Sequence, residues 1–455
     1  MLIKVFIVQI YHYEMLFSIK ISKNAYKTAE KTIELGKKYC IIKLRIILRC
    51  GIMIINEKIA INGKIVNNRV VFQPMEGCDG TADGNIGELT ERRYMRFAES
   101  GAGIIWFEAT AVCQNGRANP RQLYLTEENV DTYKVLLENI RKVSIEKFGY
   151  APLIILQATH SGRYSKPYGT PEPIVAYRNE LFEKGKEDLP YHIISDEECD
   201  ELSQMFANTA RLAQRAGFDG VDVKCCHGYL MNEFLSAYDR EGKYGGSFEN
   251  RTRLYFNCID AVKNALPDDM IVTTRLSAYD GFPHPYGFGT SENATIDLTE
   301  TEKILSELEK RNIELVNITI GNPYLIPHIN RPYVYGREKG KIGVQRVVNI
   351  TGELQRKFPK LKLVMSALSF KGADAVDFAE KCLENGDCSL AGFGRMTFAY
   401  PSFYRDFLEN GRLDDNKLCI KCSNCSKMMR AGGVAGCPVR DKEVYLPLFK
   451  KYMEK

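Results

Sequence analysis

The chain is poor in tryptophan and histidine, with one Trp and six His among 455 residues. It has no uncharged apolar run of the roughly 18 residues that a membrane span requires, so no membrane partner is expected. The opening MLIKVFIVQIYHYEMLF carries Lys4 and Glu14 and has no small-residue cleavage site, which argues against a secretory leader. No clustered Lys/Arg run follows in the body, so nucleic acid is not an expected partner. The dinucleotide fingerprint is also missing. Gly101–Ala102–Gly103 precedes a strand-like run instead of opening a helix, and the third glycine is absent. The fourteen cysteines have no disulfide-framework context and read as thiols and metal ligands of a cytoplasmic protein.

Hydrophobic content of 45% and charged content of 26% suit a chain that buries a large core without staples. The net charge of +5 is unevenly spread. Residues 1–52 hold ten Lys/Arg against three acids, a surplus of seven, so the remainder carries two net negative charges. We read 1–52 as a basic N-terminal extension and expect the functional protein to begin at or near Met53. The alternative is an amphipathic segment lying on the surface.

From residue 69 onward, short apolar runs alternate with helix-period segments. The runs are RVVFQPM (69–75), GIIWFEA (103–109), PLIILQA (152–158), GVDVKC (220–225), MIVTTRL (270–276), ELVNITI (314–320), LKLVMSA (361–367) and CSLAGFG (388–394). Near-continuous hydrophobicity marks strands covered on both faces. Ser195-Asp196-Glu197-Glu198 predicts a capping box before a helix to about Ala216. Ser247 is expected to cap the next helix, and Leu298–Arg311, Val344–Lys357, Ala373–Asn385 and Ser402–Asn410 follow. Eight strand–helix units in succession predict a closed (β/α)8 TIM barrel over 53–411, with a four-cysteine tail over 412–455. Chemistry then belongs at the C-terminal ends of the strands.

Those ends carry reactive side chains. Strand three closes in Gln157, whose amide both donates and accepts, as the edge of a pyrimidine-like ring requires. Strand four places Lys224, His227 and Tyr229 within six residues, and strand five adds Arg275. Strand eight ends in Gly394–Arg395, suited to a phosphate. His12, His192 and His284 read as structural, while His160 is either a site residue or a cap on the strand-three turn.

GFDGVDVKCCHGYLMNEFLSAYDREGKYGGSFENR (217–251) resembles the strand-four signature of the old yellow enzyme family of flavin oxidoreductases. The likeness continues through NRVVFQPM, LQATHSGR, the strand-five arginine and GFGR, covering roughly 55–410. Within the family, the 2,4-dienoyl-CoA reductase and trimethylamine dehydrogenase branch is most similar, although this chain ends 18 residues past Cys437, without that branch's further dinucleotide-binding domain. The run Cys419-x2-Cys422-x2-Cys425-x11-Cys437-Pro438 resembles that branch's 4Fe-4S site, with zinc the alternative. The branch more usually has three residues between its second and third cysteines.

The resemblance implies FMN, held by Pro74, Met75, Glu76, Gln157, Arg275, Ser366, Ala367, Gly394 and Arg395. It implies NADH or NADPH as reductant and an activated, α,β-unsaturated C=C bond as substrate. Lys224 and His227 would orient the substrate, Lys224 favouring an anionic one, and Tyr229 would deliver a proton. Two departures stand out. Glu76 replaces a small residue near the flavin carbonyl, which predicts a lower flavin potential. Ala367 stands where the strand-seven loop usually has glycine. Asn322, Tyr324 and His328, beyond strand six, are expected to contact the substrate. The alternative function is an amine-dehydrogenase-like flavin/iron–sulfur enzyme, or an electron-transfer flavoprotein, passing electrons to a partner protein. Lys224 disfavours a cationic amine, and a pure relay has no use for Tyr229.

Overall fold

The computed structural model describes residues 52–330, 332 and 338–454. The basic extension expected over 1–52 lies outside the described residues except for Ile52.

The chain first makes a hairpin, β1 (Ile59–Ile61) and β2 (Lys64–Val66), around Asn62–Gly63. Both turn residues have positive φ, the turn that Asn-Gly favours because its twist matches that of the strands. Ile61 and Val66 are fully buried in a cluster with Val71, Ile104, Trp106, Ile155, Ile271 and Leu315. Ile104, Ile271 and Leu315 are first residues of barrel strands, so the hairpin plugs the N-terminal end. Each such burial stabilises by about 1.5–3 kcal/mol. The opposite mouth is left for polar groups.

Eight parallel strands close the barrel: β3 (Val70–Phe72), β4 (Ile104–Ala111), β5 (Leu153–Thr159), β8 (Gly220–Val223), β9 (Ile271–Ser277), β10 (Leu315–Thr319), β11 (Lys362–Met365) and β12 (Leu390–Phe393), which pairs back onto β3. The predicted TIM barrel is therefore present, each strand lying within or overlapping its expected run. β3, β11 and β12 stop short of the expected ends, because Gln73–Glu76, Ser366–Ala367 and Gly394–Arg395 peel away into the mouth. Longer helices link the strands: α1 (Glu88–Ala98), α2 (Val130–Phe148), α3 (Asp196–Ala216), α4 (Phe248–Ala265), α5 (Thr299–Lys310), α6 (Gly340–Lys357), α7 (Ala375–Glu384) and α8 (Phe403–Asn410). The capping box at α3 is complete: Glu198 N donates to Ser195 Oγ at 3.2 Å, and Ser195 N donates to Glu198 Oε2 at 2.7 Å.

Between β5 and α3 the chain detours through β6 (Ile174–Val175) and β7 (His192–Ile193), a parallel pair too short to show any period in the sequence. The buried Arg163 guanidinium pins this detour, donating to Glu233 at 2.6 Å and Glu183 at 2.9 Å.

The tail forms α9 (Asn424–Arg430) and α10 (Lys442–Met453). Met428, Val434 and Tyr445 make a small core of their own. Asp441 accepts two bonds from Arg92 of α1, at 2.7 and 3.2 Å, and another from Arg96. Ala435 N donates to Gly77 O at 2.6 Å, so the tail reaches the barrel mouth. Among the described residues, no helix is long and apolar enough to cross a membrane.

Candidate active site

A cavity opens at the C-terminal ends of the strands. All nine residues expected to hold the cofactor line it: Pro74, Met75, Glu76, Gln157, Arg275, Ser366, Ala367, Gly394 and Arg395. Lys224, His227, Tyr229 and Tyr324 face the same space. His328, on the short helix Pro327–Asn330, is not among the lining residues, whereas Asn330 of that helix is.

The cavity floor is organised by a residue the sequence reading passed over. Asp222 of β8 is fully buried and accepts from Gln157 Nε2 at 2.6 Å, Trp106 Nε1 at 2.8 Å and Arg275 N at 2.7 Å. Burial pushes its carboxyl up to about 6, against the pull of these donors. Because the Gln157 amide gives its N–H to Asp222, its carbonyl oxygen remains to accept from a ligand. Beside it, Arg275 Nε is buried with no partner, and burial lowers the guanidinium's pKa. A buried unpaired donor costs about 1–3 kcal/mol, more when charged, which a ligand acceptor would recover.

At the other end, Arg395 Nη2 donates to Pro332 O at 2.6 Å and Nη1 is buried without a partner. The Gly394 and Met396 amides are occupied, both donating to Ser369 Oγ, at 3.1 and 3.2 Å. That hydroxyl carried no signal in the sequence. Ala367 has φ +68°, the left-handed conformation in which a Cβ is strained. A cavity with two unpaired guanidinium nitrogens and a free amide carbonyl fits FMN: Gln157 and Arg275 suit the ring and Arg395 the phosphate.

The reactive wall comes from the turn after β8. His227 and Gly228 both have positive φ, at 68° and 71°, and this turn aims Tyr229 inward. A Cβ on Gly228 would stand 2.3 Å from Asn322 Nδ2, so only glycine fits. Lys224 Nζ lies 3.5 Å from the Tyr229 ring centroid, and burial lowers its pKa. Tyr229 Oη is 3.0 Å from Tyr324 Oη and donates to Glu76 Oε2 at 3.4 Å. Burial raises the phenol's pKa well above its ordinary value, so it stays protonated. Tyr324 stacks on Tyr164 with centroids 3.7 Å apart, and Asn322 Nδ2 donates to the Tyr164 hydroxyl at 2.9 Å. Asn330 Nδ2, which also faces Ile320 O, lies 3.0 Å from His227 Nε2. His227 Nε2 is then the acceptor, and the ring proton sits on Nδ1. His160 is buried, its Nδ1 accepts from Gly162 N at 3.1 Å, and burial lowers it to about 4: it caps the turn.

Cys419, Cys422, Cys425 and Cys437 are half-buried and form no disulfide among the described residues. Burial is the main cause that pushes Cys437 up to about 11, with a smaller push from Cys419 and Cys425. Among the described residues, however, no three His, Cys, Asp or Glu side chains converge closely enough to hold a metal ion. As placed, the thiols do not fit a cluster or zinc. The tail's clearer contribution is to the cavity itself, which Cys425, Met429, Arg430 and Ala435 help to line.

A family model described as the NADH:flavin oxidoreductase / NADH oxidase family matches residues 56–414. An NADPH dehydrogenase of Clostridium acetobutylicum is 28% identical over 337 residues, covering 73% of this chain and 92% of that protein. An NADPH dehydrogenase of a Geobacillus species is 31% identical over 347 residues, covering 75% and 89%. Among solved structures, a 2-naphthoyl-CoA reductase in complex with 2-naphthoyl-CoA shares the fold with a TM-score of 0.71 at 22% identity. That likeness covers 88% of this chain, which spans 58% of the longer protein.

Proposed function

The chain belongs to the NADH:flavin oxidoreductase / NADH oxidase family and is an FMN-dependent NAD(P)H oxidoreductase, and on that footing we propose that it reduces an activated, α,β-unsaturated C=C bond. The observation that carries this reading is a buried phenol, Tyr229, on the wall of the same cavity as Gln157, Arg275 and Arg395.

FMN, when bound, supplies hydride transfer from the nicotinamide to the electron-poor carbon. Gln157, held by Asp222, accepts from the ring edge. Arg275 presents a fixed positive charge to the ring, and Arg395 holds the phosphate. His227 and Lys224 meet the substrate's carbonyl oxygen as negative charge builds there. Lys224, whose cation lies on the Tyr229 ring, also lowers the cost of removing that phenol's proton. Tyr229 gives its Oη proton to the α-carbon. Tyr324 hydrogen-bonds that phenol and closes the pocket. Cysteines that form no disulfide among the described residues suit a reducing cytoplasm.

The test is anaerobic. The protein loaded with FMN is bleached with NADPH or NADH and then mixed with a cyclic enone. Reoxidation with one reduced alkene formed per flavin, slowed about 100-fold or more in Tyr229→Phe, supports the reading. Bleaching with no alkene turnover removes it.

A second reading, a flavin/iron–sulfur dehydrogenase or electron-transfer flavoprotein, rests on the cysteine spacing and would require the thiols to regroup from the places they hold here. Cys425 of the four-cysteine run lines the cavity itself. The spacing is the support for a 4Fe-4S cluster, with zinc as the alternative, and no step above passes through it. Iron, sulfide and zinc assays on anaerobically purified protein decide between them.

A further inference from the structure

Among the described residues that line the flavin cavity, Glu76 is the only acid. It also lines a second, larger cavity alongside, where Asn119, Cys78 and Arg121 stand. Tyr229 lines the first cavity and not the second, and it is 2% exposed. With substrate or product filling the first cavity, a phenol so enclosed has no water of its own to restore a lost proton. Two groups reach its oxygen: Glu76 Oε2 at 3.4 Å and Tyr324 Oη at 3.0 Å. Of the two, a carboxyl is by far the better acid.

We propose that Glu76 returns a proton to Tyr229 after each turnover, drawing it from water in the second cavity. The inference rests on the reading of Tyr229 as the proton donor.

The steps balance. Tyr229 Oη–H breaks and its proton goes to the substrate carbon, leaving a phenolate under the Lys224 cation. The Glu76 Oε2–H bond then breaks and a new Oη–H bond forms on Tyr229. The resulting carboxylate is held by Asn119 Nδ2, which donates to Oε1 at 3.1 Å, by the Cys78 thiol at 3.7 Å, and by the charge of Lys224. Water in the second cavity restores the carboxyl proton. Tyr324 donates to the phenolate throughout without giving up its own proton, since burial holds its pKa far above that of a carboxyl.

The titratable groups that act on Glu76 are Lys224, Cys78, Tyr229 and Tyr324, with Glu108 behind them. Burial raises the Glu76 pKa and Lys224 partly offsets this. As pH rises through the raised value, the carboxyl ionises and has no proton to pass. Its charge also makes the Tyr229 proton harder to lose. Alkene reduction therefore falls on the alkaline side.

The holoenzyme is assayed with NADPH and a cyclic enone across pH, alongside E76Q, E76D and Y229F. E76Q is expected to lose the alkaline limb, to run about tenfold to 100-fold slower than wild type on its acid side, and to give a burst of one product per flavin before a slow steady state. E76D, with its carboxyl on a shorter arm, keeps the limb and recovers part of the rate. A second readout needs no flavin: infrared difference spectra of the apoprotein should show a protonated carboxyl band that E76Q removes at a pH where exposed carboxyls are ionised. If Y229F reduces the enone as fast as wild type, the donor assignment under the proposed function fails. If Y229F is slow while E76Q keeps the limb without a burst, or lacks no band, the proton return is overturned and the donor assignment stands. Should E76Q fail to fold, a limb unmoved in E76D overturns the proposal equally.

Discussion

Asp222→Asn tests the cavity floor. Burial holds the carboxyl at about 6 in the folded protein against an ordinary value of 3.8, so the folded state binds this proton more tightly than the unfolded chain does. The stability it contributes is fully present below about pH 3.8 and is lost as pH rises to 6 and beyond. The complete shift is worth about 3 kcal/mol, and the part lost between pH 5 and pH 7.5 is about 1.4 kcal/mol. Asparagine has no such titration but carries a fault at every pH. Its oxygen can serve Gln157 and Trp106, yet its NH2 would then face Arg275 N, 2.7 Å from the atom it replaces. Two donors nose to nose cost about 1–3 kcal/mol. Urea unfolding of the apoprotein at the two pH values should therefore show the deficit of the variant shrinking by about 1.4 kcal/mol from pH 5 to pH 7.5. FMN should bind up to about tenfold more weakly, because Gln157 loses the carboxylate that fixes its amide. A deficit equal at both pH values, together with unaltered FMN affinity, would refute the account of Asp222.

Two further variants probe the mouth. Ala367→Gly should be neutral or slightly stabilising in urea unfolding, since relief of the left-handed φ offsets the usual penalty of about 1 kcal/mol for glycine; a loss of that full amount would show the backbone there is unstrained. Asp441→Ala frees Arg92 and Arg96, which are part-exposed and can hydrate, so global stability should change by no more than about 1 kcal/mol. Trypsin should nonetheless cut the tail at Lys427 or Arg430 well before the barrel, and cleavage that only tracks global unfolding would show that the Asp441 contact does not hold the tail down.

The barrel was legible because its strands are buried on both faces and so read as unbroken apolar runs, as in Ile104–Trp106 and Ile154–Leu156. The lining residues were legible for a related reason: in this architecture a strand's end and the site coincide, so Gln157, Lys224 and Arg275 could be placed from strand position. What escaped was set by pairing across the fold. Asp222 sits mid-run in GVDVK, and nothing local tells that Gln157, Trp106 and Arg275 converge on it. Ser369 takes the amides of Gly394 and Met396 from another loop. Asn330 reaches His227 where His328 was expected to contribute, because one turn of a short helix decides which of the two faces the cavity. The reach of the tail over the mouth depends on Asp441 and Ala435, whose partners lie hundreds of residues away in sequence.

The two ends of the barrel divide the energetic work. The hairpin plug and the first layer of strand residues are mostly apolar and closed, so the N-terminal end gains its free energy chiefly from burial. The mouth does the opposite, holding Lys224, Arg275, Arg395 and Asp222 away from water. Two of these, Arg275 and Arg395, keep a nitrogen unpaired. Such groups cost stability in the empty protein and return it when a ligand supplies acceptors. FMN binding should accordingly raise the melting temperature far more than an apolar ligand of equal size, and Arg395→Met should lose most of that increment while melting no lower than wild type when both are empty. An Arg395→Met apoprotein that melts well below the wild-type apoprotein would mean that the guanidinium, through its bond to Pro332, supports the fold and not the cofactor.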